Sequence, residues 1–300
     1  MRPFVSLFAL FVLLTGCAAT PQKPPAPAAE PTPTPITAAS KAPGADDDLN
    51  AVAWAQTAIE HDLVYLEVYR NAQEKLLRAL KDPRWDALAR DDRNGTLKGL
   101  QPAVILDIDE TVLDNSPYQA RLVRSGKEFD ESSWAQWCKE ETARPLPGAL
   151  EFTRFAARHG VTLFYLSNRA KDLNGATVAN LGNAGFPLNA GADSFLGLGT
   201  LLKGCEQIGS NKGCRRKLVA QHYRVLMQFG DQLGDFVDPA VSTRGGRADA
   251  AAPYLDWIGE RWFVLPNPAY GSWESVLFGD QWSKPREQRR QEKINALRVE

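Results

Sequence analysis

Histidine and cysteine are scarce in this chain of 300 residues, which has three of the first and four of the second. His61, His159 and His222 are scattered, with no HExxH or other paired spacing, and no Cys/His cluster has the spacing of a zinc site. A Gly-x-Ser-x-Gly elbow is missing, which argues against a serine hydrolase. A phosphate-cradling P-loop is missing too, which argues against an NTPase. Formal net charge is −1, with no long basic run, so binding to nucleic acid through its phosphate backbone is not expected. There is no internal repeat. The one long apolar run, Phe4 to Leu14, is too short for a comfortable membrane-spanning helix.

That run follows Arg2 and leads into Leu14-Thr15-Gly16-Cys17. A positive start and a short apolar core read as a signal peptide over residues 1–16. The closing tetrad resembles the bacterial lipobox, in which the cysteine is lipidated and becomes the new N-terminus. Cys17 is therefore the expected lipidation site and the expected link to a membrane. Ala18, rather than an aspartate, follows it, and the resemblance to bacterial lipoproteins then favours the outer membrane. Residues 17–47 are rich in Pro, Ala and Thr, cannot bury a core, and read as a flexible tether. Cys138, Cys205 and Cys214 remain, an odd number, in an exported setting that permits disulfides. Cys205 and Cys214 are close enough in sequence to close a short loop, but spacing fixes no geometry and the pairing is left open.

Apolar residues make up 44% and charged residues 24%, ordinary values for a globular protein. The expected folded domain covers residues 48–283, and a sign-alternating charged tail covers 284–300. Residues from Asp48 to about Arg90 look helical, with Trp54, Ile59, Leu63, Leu66, Tyr69, Leu76, Leu77 and Leu80 at spacings near three and four. Pro83 is the expected break. The pattern then changes. Four short runs, 103–106, 161–166, 225–229 and 262–265, are apolar at nearly every position, as suits buried parallel strands. Stretches with helical character separate them, such as 148–158 and 215–222. Alternating strands and helices predict an α/β fold with a Rossmann-like parallel sheet. A smaller helical flank or cap is expected from about 48–98 together with an insert at about 115–144.

Three of the four runs end in polar residues able to do chemistry, and open α/β sheets bind ligands beyond the carboxyl ends of their strands. Asp107-Ile108-Asp109-Glu110-Thr111 follows the first run. Two carboxylates spaced by two project on the same side of an extended chain, so one could attack phosphorus while the other handles a proton. Ser167-Asn168 follows the second run and could donate to phosphoryl oxygens. Gly230-Asp231-Gln232-Leu233-Gly234-Asp235 follows the third, with carboxylates whose hard oxygens suit Mg²⁺. Upstream of it Lys212 and Lys217 compete for a phosphate-binding role. Lys212 is preferred because it sits in a loop at a helix start. A carboxylate approaching a phosphate monoester at about 4 Å is repelled by roughly 4 kcal/mol per charge pair at an effective dielectric of about 20. A divalent cation and a lysine would cancel that repulsion.

These four elements in this order resemble the haloacid dehalogenase (HAD) superfamily of phosphohydrolases. Residues 107–118 (DIDETVLDNSPY), Ser167-Asn168-Arg169, Gly230 to Asp235 and residues 265–274 (LPNPAYGSWE) are similar to the class C acid phosphatases. The likeness covers roughly Asp48 to Asp280. It implies that Asp107 is the nucleophile and a metal ligand, and that Asp109 is the general acid and base and touches Mg²⁺ through its backbone carbonyl. It implies that Asp231 is a further ligand, that Asp235 lies close by, and that Ser167, Asn168 and Lys212 hold phosphate. Trp134 and Tyr270 match positions where lipoprotein members stack a nucleobase. The segment from Leu196 to Cys214, with its extra glycines and two cysteines, departs from the family pattern.

The expected activity is Mg²⁺-dependent hydrolysis of small phosphomonoesters, such as nucleoside 5′-monophosphates or nicotinamide mononucleotide, best at mildly acidic pH because Asp109 must start protonated. One rival is a catalytically inactive surface lipoprotein that binds a ligand such as haem. The other is a phosphatase with no nucleobase preference. A homodimer is left open.

Overall fold

A computed structural model of the chain describes residues 47–190 and 193–300. The signal peptide, Cys17 and nearly all of the tether lie outside the described residues. Among those described are helices α1 (Leu49–Thr57), α2 (Ile59–Lys81), α3 (Ser116–Ser125), α4 (Glu131–Glu140), α5 (Ala149–Arg158), α6 (Asn174–Asn183), α7 (Gly213–Ala220), α8 (Arg244–Ala251), α9 (Ser272–Ser275) and α10 (Arg286–Asn295). The strands are β1 (Gln101–Leu106), β2 (Leu113–Asp114), β3 (Arg144–Pro145), β4 (Thr162–Ala170), β5 (Phe195–Leu198), β6 (Tyr223–Gly230) and β7 (Trp262–Val264). No helix among them is long and apolar enough to cross a membrane.

Five strands form one parallel sheet in the order β5-β4-β1-β6-β7. The chain leaves β1 for β4 and β5 on one side, then returns for β6 and β7 on the other. The order therefore reverses at β1, and a crevice opens beyond its carboxyl end. Each face of the sheet is covered. Val104 and Leu106 enter one core with Tyr69, Leu76, Phe152 and Phe229. Ala103 and Ile105 enter the other with Phe164, Val219, Val225 and Trp262. Alternate side chains go to opposite faces, and both faces are buried, which is why residues 103–106 of β1 are all apolar. The expected parallel α/β architecture is what the chain adopts.

Several local expectations are corrected. The second strand does not end before Ser167 but runs on to Ala170, so Ser167, Asn168 and Arg169 lie within β4. Phe195–Leu198 is a strand that periodicity did not reveal. The helical region before β1 is two helices that end at Lys81, followed by a short 3-10 turn at Arg90–Asp92. The face of α2 that is buried is Tyr65, Tyr69, Ala72, Leu76 and Ala79, whereas Ile59, Leu63 and Leu77 are exposed. The charged tail contains α10, whose Arg289 is buried.

Candidate active site

Strand β1 delivers Asp107 to the crevice. Its backbone N–H donates to the carbonyl of Phe229 on β6 at 2.9 Å, continuing the parallel ladder one step past the strand. The chain then curls tightly, with the N–H groups of Val112 and Leu113 both donating to Ile108 O at 2.9 Å. Glu110 sits at φ +53°, a left-handed conformation unusual for a residue with a side chain. Its carboxylate accepts from the Asn115 N–H at 2.9 Å and from the Tyr270 hydroxyl, and its carbonyl accepts from the Tyr65 hydroxyl at 2.5 Å. Those bonds hold an unfavourable turn in place. Burial, then the neighbouring Asp109, push the Glu110 carboxyl well above the usual range.

Asp231 and Asp235 follow β6. A Cβ at Gly230 would collide with the Asp235 carboxylate, so only glycine lets that side chain fold back over the strand end. The Asp235 carboxylate accepts from the backbone N–H of Gln232 at 2.8 Å. Asp231 accepts from the Gln232 and Asn267 side-chain amides, each at 2.8 Å. One carboxylate oxygen from each of Asp107, Asp231 and Asp235 lies within 4.8 Å of the others.

Lys212 stands just ahead of α7 and is buried. Its ammonium donates to Asp107, to Asp235 Oδ1 at 2.6 Å and to Leu166 O at 2.7 Å. Lys217, the competing lysine, lies in the last turn of α7. Burial by itself would lower the Lys212 pKa, but the Asp107 and Asp235 carboxylates outweigh it, and the pKa is raised. Burial likewise pushes Asp107 well above the usual carboxylate range, against the opposing pull of Lys212. Burial and the adjacent Asp235 carry Asp231 up to about 7. Without a cation the crowded carboxyls therefore tend to hold protons, and hard oxygen donors of this kind fit a divalent cation such as Mg²⁺, which would favour their ionised form.

Asp109 is arranged differently. Its carboxylate turns from that cluster toward β4. It accepts from Ser167 Oγ at 2.9 Å, from Asn115 Nδ2 at 2.8 Å, and from Arg169 Nε and Nη2 at 2.9 and 2.8 Å. The Arg169 side chain is fully buried, and Trp137 Nε1 donates to Asn115 Oδ1 at 2.7 Å behind it. Asn168 is exposed, and its side-chain oxygen accepts from Arg215 at 2.7 Å. Trp134 lies under the Arg169 guanidinium, 5.5 Å from ring centroid to carbon, and edge-on to Tyr118. The Tyr270 hydroxyl donates to the Glu110 carboxylate. The crevice thus gathers Asp107, Asp109, Ser167, Lys212, Asp231 and Asp235 from four segments. Sequence reading missed Glu110, Asn115, Trp137 and the pairing of Arg169 with Asp109. Arg169 did carry one signal, a charged residue just past the apolar run of residues 161–166.

Cys205 and Cys214 form a disulfide, and Cys138 is a buried free thiol pushed up by burial to about 12.

A five-stranded parallel sheet with paired aspartates after its central strand, a lysine and further aspartates on the neighbouring strand is the arrangement of a HAD-type phosphohydrolase. The chain matches the family described as HAD superfamily, subfamily IIIB (acid phosphatase), over residues 48–273, and it belongs to that family. Among solved structures it is similar to the class C acid phosphatase of Bacillus anthracis, with a TM-score of 0.72 and 32% identity over 84% of this chain and 97% of that one. The same enzyme with tungstate bound gives a TM-score of 0.71 at the same identity and coverage. Acid phosphatase 1 of Solanum lycopersicum is 28% identical over 171 residues, 55% of this chain and 57% of that protein. A stem 31 kDa glycoprotein of Glycine max is 29% identical over 167 residues, 55% of this chain and 58% of that protein. The match thus spans a little over half the length of these curated relatives.

Proposed function

We propose that this chain is a Mg²⁺-dependent acid phosphatase that hydrolyses small phosphomonoesters through a phosphoryl group held covalently on Asp107. The observation that carries the reading is the convergence of Asp107, Asp231 and Asp235 to within 4.8 Å at the carboxyl ends of β1 and β6, with the Lys212 ammonium bonded to Asp107 and Asp235. Mg²⁺ would be held by Asp107, Asp231, Asp235 and the backbone carbonyl of Asp109. When bound, it supplies positive charge that offsets the negative phosphoryl oxygens.

The chain's own groups do the rest. An Asp107 oxygen bonds to phosphorus as the phosphorus–oxygen bond to the leaving group breaks. Asp109 gives a proton to the departing oxygen. In the second step Asp109 takes a proton from water as the water oxygen bonds to phosphorus, and the bond to Asp107 breaks to release phosphate. Ser167, Asn168 and Lys212 hold the phosphoryl oxygens, and Arg169 with Asn115 aims the Asp109 carboxylate. Tungstate, the oxyanion in the Bacillus anthracis relative, has the tetrahedral shape of phosphate, which supports an oxyanion in this crevice.

The favoured substrates are nucleoside 5′-monophosphates or nicotinamide mononucleotide, with the base against Trp134 and Tyr270. Both aromatics lie within one residue's reach of Asp109, through Arg169 and Glu110 respectively. Lipidation of Cys17 would anchor the enzyme at the outer membrane. A phosphomonoester panel with purified protein, with and without EDTA, tests the reading together with Asp107→Asn. Turnover that vanishes in the folded variant and in EDTA is the expected result. Turnover that survives Asp107→Asn would sink the proposal.

A further inference from the structure

Lys212 stands at the end of a long irregular connection. Strand β5 stops at Leu198 and α7 starts at Gly213, and the segment between them forms only an isolated bridge, Leu202 to Cys205. Leu201 and Ile208 in it are exposed apolar side chains with little to fix them. Connections of this length without structure of their own are uncommon in compact domains and usually serve a function. This one has to deliver an ammonium to a fixed place against Asp107, Asp235 and the Leu166 carbonyl.

Gln207 Nε2 donates to the Asn211 carbonyl at 2.5 Å within the segment, and three further restraints act near that ammonium. Asp238 accepts from the backbone N–H of Gly213 at 2.9 Å and of Lys212 at 3.3 Å. Arg215 donates to the carbonyls of Ser210 and Asn211 at 3.3 and 3.2 Å, both beyond the usual best distance. The third restraint is covalent. The Cys205–Cys214 disulfide closes a ring of chain that contains Lys212, and one end of it is anchored in the first turn of α7. Upstream of Lys212 it is the one covalent cross-link among the described residues.

We infer that the Cys205–Cys214 disulfide is a positioning device for Lys212, so that opening it weakens phosphate binding at the active site. The inference rests on the phosphatase reading and adds redox sensitivity to it. A dithiol such as dithiothreitol would donate two electrons and two protons. The sulfur–sulfur bond opens to two thiols, and the reagent closes to its own cyclic disulfide. Cys205 is half-buried between exposed Gly204 and Glu206, which gives a small dithiol access. Cys138 is buried and free and does not share in this chemistry. Once the ring is open, the loop samples more conformations. Apparent phosphate affinity then falls in proportion to the fraction of time Lys212 is in place.

The test uses the full chain with Mg²⁺, oxidised and then reduced with dithiothreitol. It reads KM and kcat on an aryl phosphate, calorimetric binding of inorganic phosphate, and circular dichroism. Reduction should raise KM and the phosphate dissociation constant about tenfold, as when the competent fraction falls to about a tenth. The circular dichroism should not change, and reoxidation should restore both constants. A Cys17→Ser/Cys138→Ala variant should respond like the parent. A Cys205→Ser/Cys214→Ser variant should already bind weakly and ignore dithiothreitol. Equal phosphate affinity in the two redox states would overturn the inference. So would loss of the folded signal on reduction, which would make the bond a staple for the whole domain. An oxidised protein that binds phosphate without turning over any ester would count against the phosphatase reading alone, because the binding measurement still reports on the disulfide.

Discussion

The two halves of the crevice are held by opposite electrostatics. On the β6 side, Asp107, Asp231 and Asp235 crowd together with one ammonium among three carboxylates. On the β4 side, Asp109 meets a buried guanidinium one to one and collects two further hydrogen bonds. The first half is incomplete as a set of charges and so is suited to take up a cation. The second is complete, and its partners set the direction of one carboxylate. That contrast separates a binding function from an aiming function within one small space.

The sharpest way to break the comparison is to remove charge from the crowded half. Asp231→Asn should lower activity by about a hundredfold to a thousandfold, the usual loss when one member of a charge-stabilising set is removed. The same residue makes a prediction about stability. Its carboxyl is pushed up to about 7, so without a cation the folded state keeps a proton at pH values where the unfolded state, near the ordinary value of about 4, has lost it. The folded state binds more protons across that window. Stability in EDTA should therefore be highest at its acid end and fall as pH rises toward about 7. Saturating Mg²⁺ favours the ionised carboxylates and should flatten the slope, and Asp231→Asn should lessen it, with Asp107 and Glu110, which burial also pushes up, keeping part of it in the variant. Melting temperatures recorded across this window in EDTA and in Mg²⁺ check the claim. Identical slopes in the two conditions would mean that the cluster does not bind the ion.

The complete half responds more mildly. Arg169→Lys keeps a positive charge but loses the planar fork that reaches Asp109 through both Nε and Nη2. A misdirected Asp109 should cost about ten- to a hundredfold in kcat, with KM for a small ester little changed. A variant whose KM rises while kcat holds would show that Arg169 binds substrate rather than aiming the acid.

What was readable in the sequence was the half built from strand ends. Asp107 and Asp231 each follow an apolar run, and for β1 and β6 the end of the run marks where the strand stops and the acidic residues emerge. The aiming half depends on contacts across the fold. Arg169 and Asp109 are separated by 60 positions, and Trp137 supports Asn115 across 22, so neither pair shows as a local motif. Strand β5 was hidden for a local reason. Its sequence Phe-Leu-Gly-Leu is short and interrupted by Gly197, where a Cβ would meet the Phe195 ring at 2.7 Å and the Arg169 carbonyl at 2.8 Å. On α2, hydrophobic size pointed to Leu63 and Leu77, whereas the buried face uses Ala72 and Ala79. A close approach shows at Tyr69 of the same face, where a Cβ at Gly148, just before α5, would stand 3.0 Å from Tyr69 Cβ.

The smallest expected effect lies where the aiming half meets the leaving group. Trp134 is packed between Tyr118, at 5.1 Å between ring centroids, and the Arg169 guanidinium. If it also stacks a nucleobase, Trp134→Ala should raise KM for a nucleoside monophosphate by about two- to tenfold, the worth of one aromatic contact of about 0.5–1.5 kcal/mol. KM for a small alkyl phosphate, which has no ring to stack, should stay the same. The neighbouring Arg169 gives the experiment a second readout. A kcat loss shared equally by the two substrates, with both KM values unchanged, would assign Trp134 to support of the guanidinium that aims Asp109. The nucleobase preference would then have to come from Tyr270 alone.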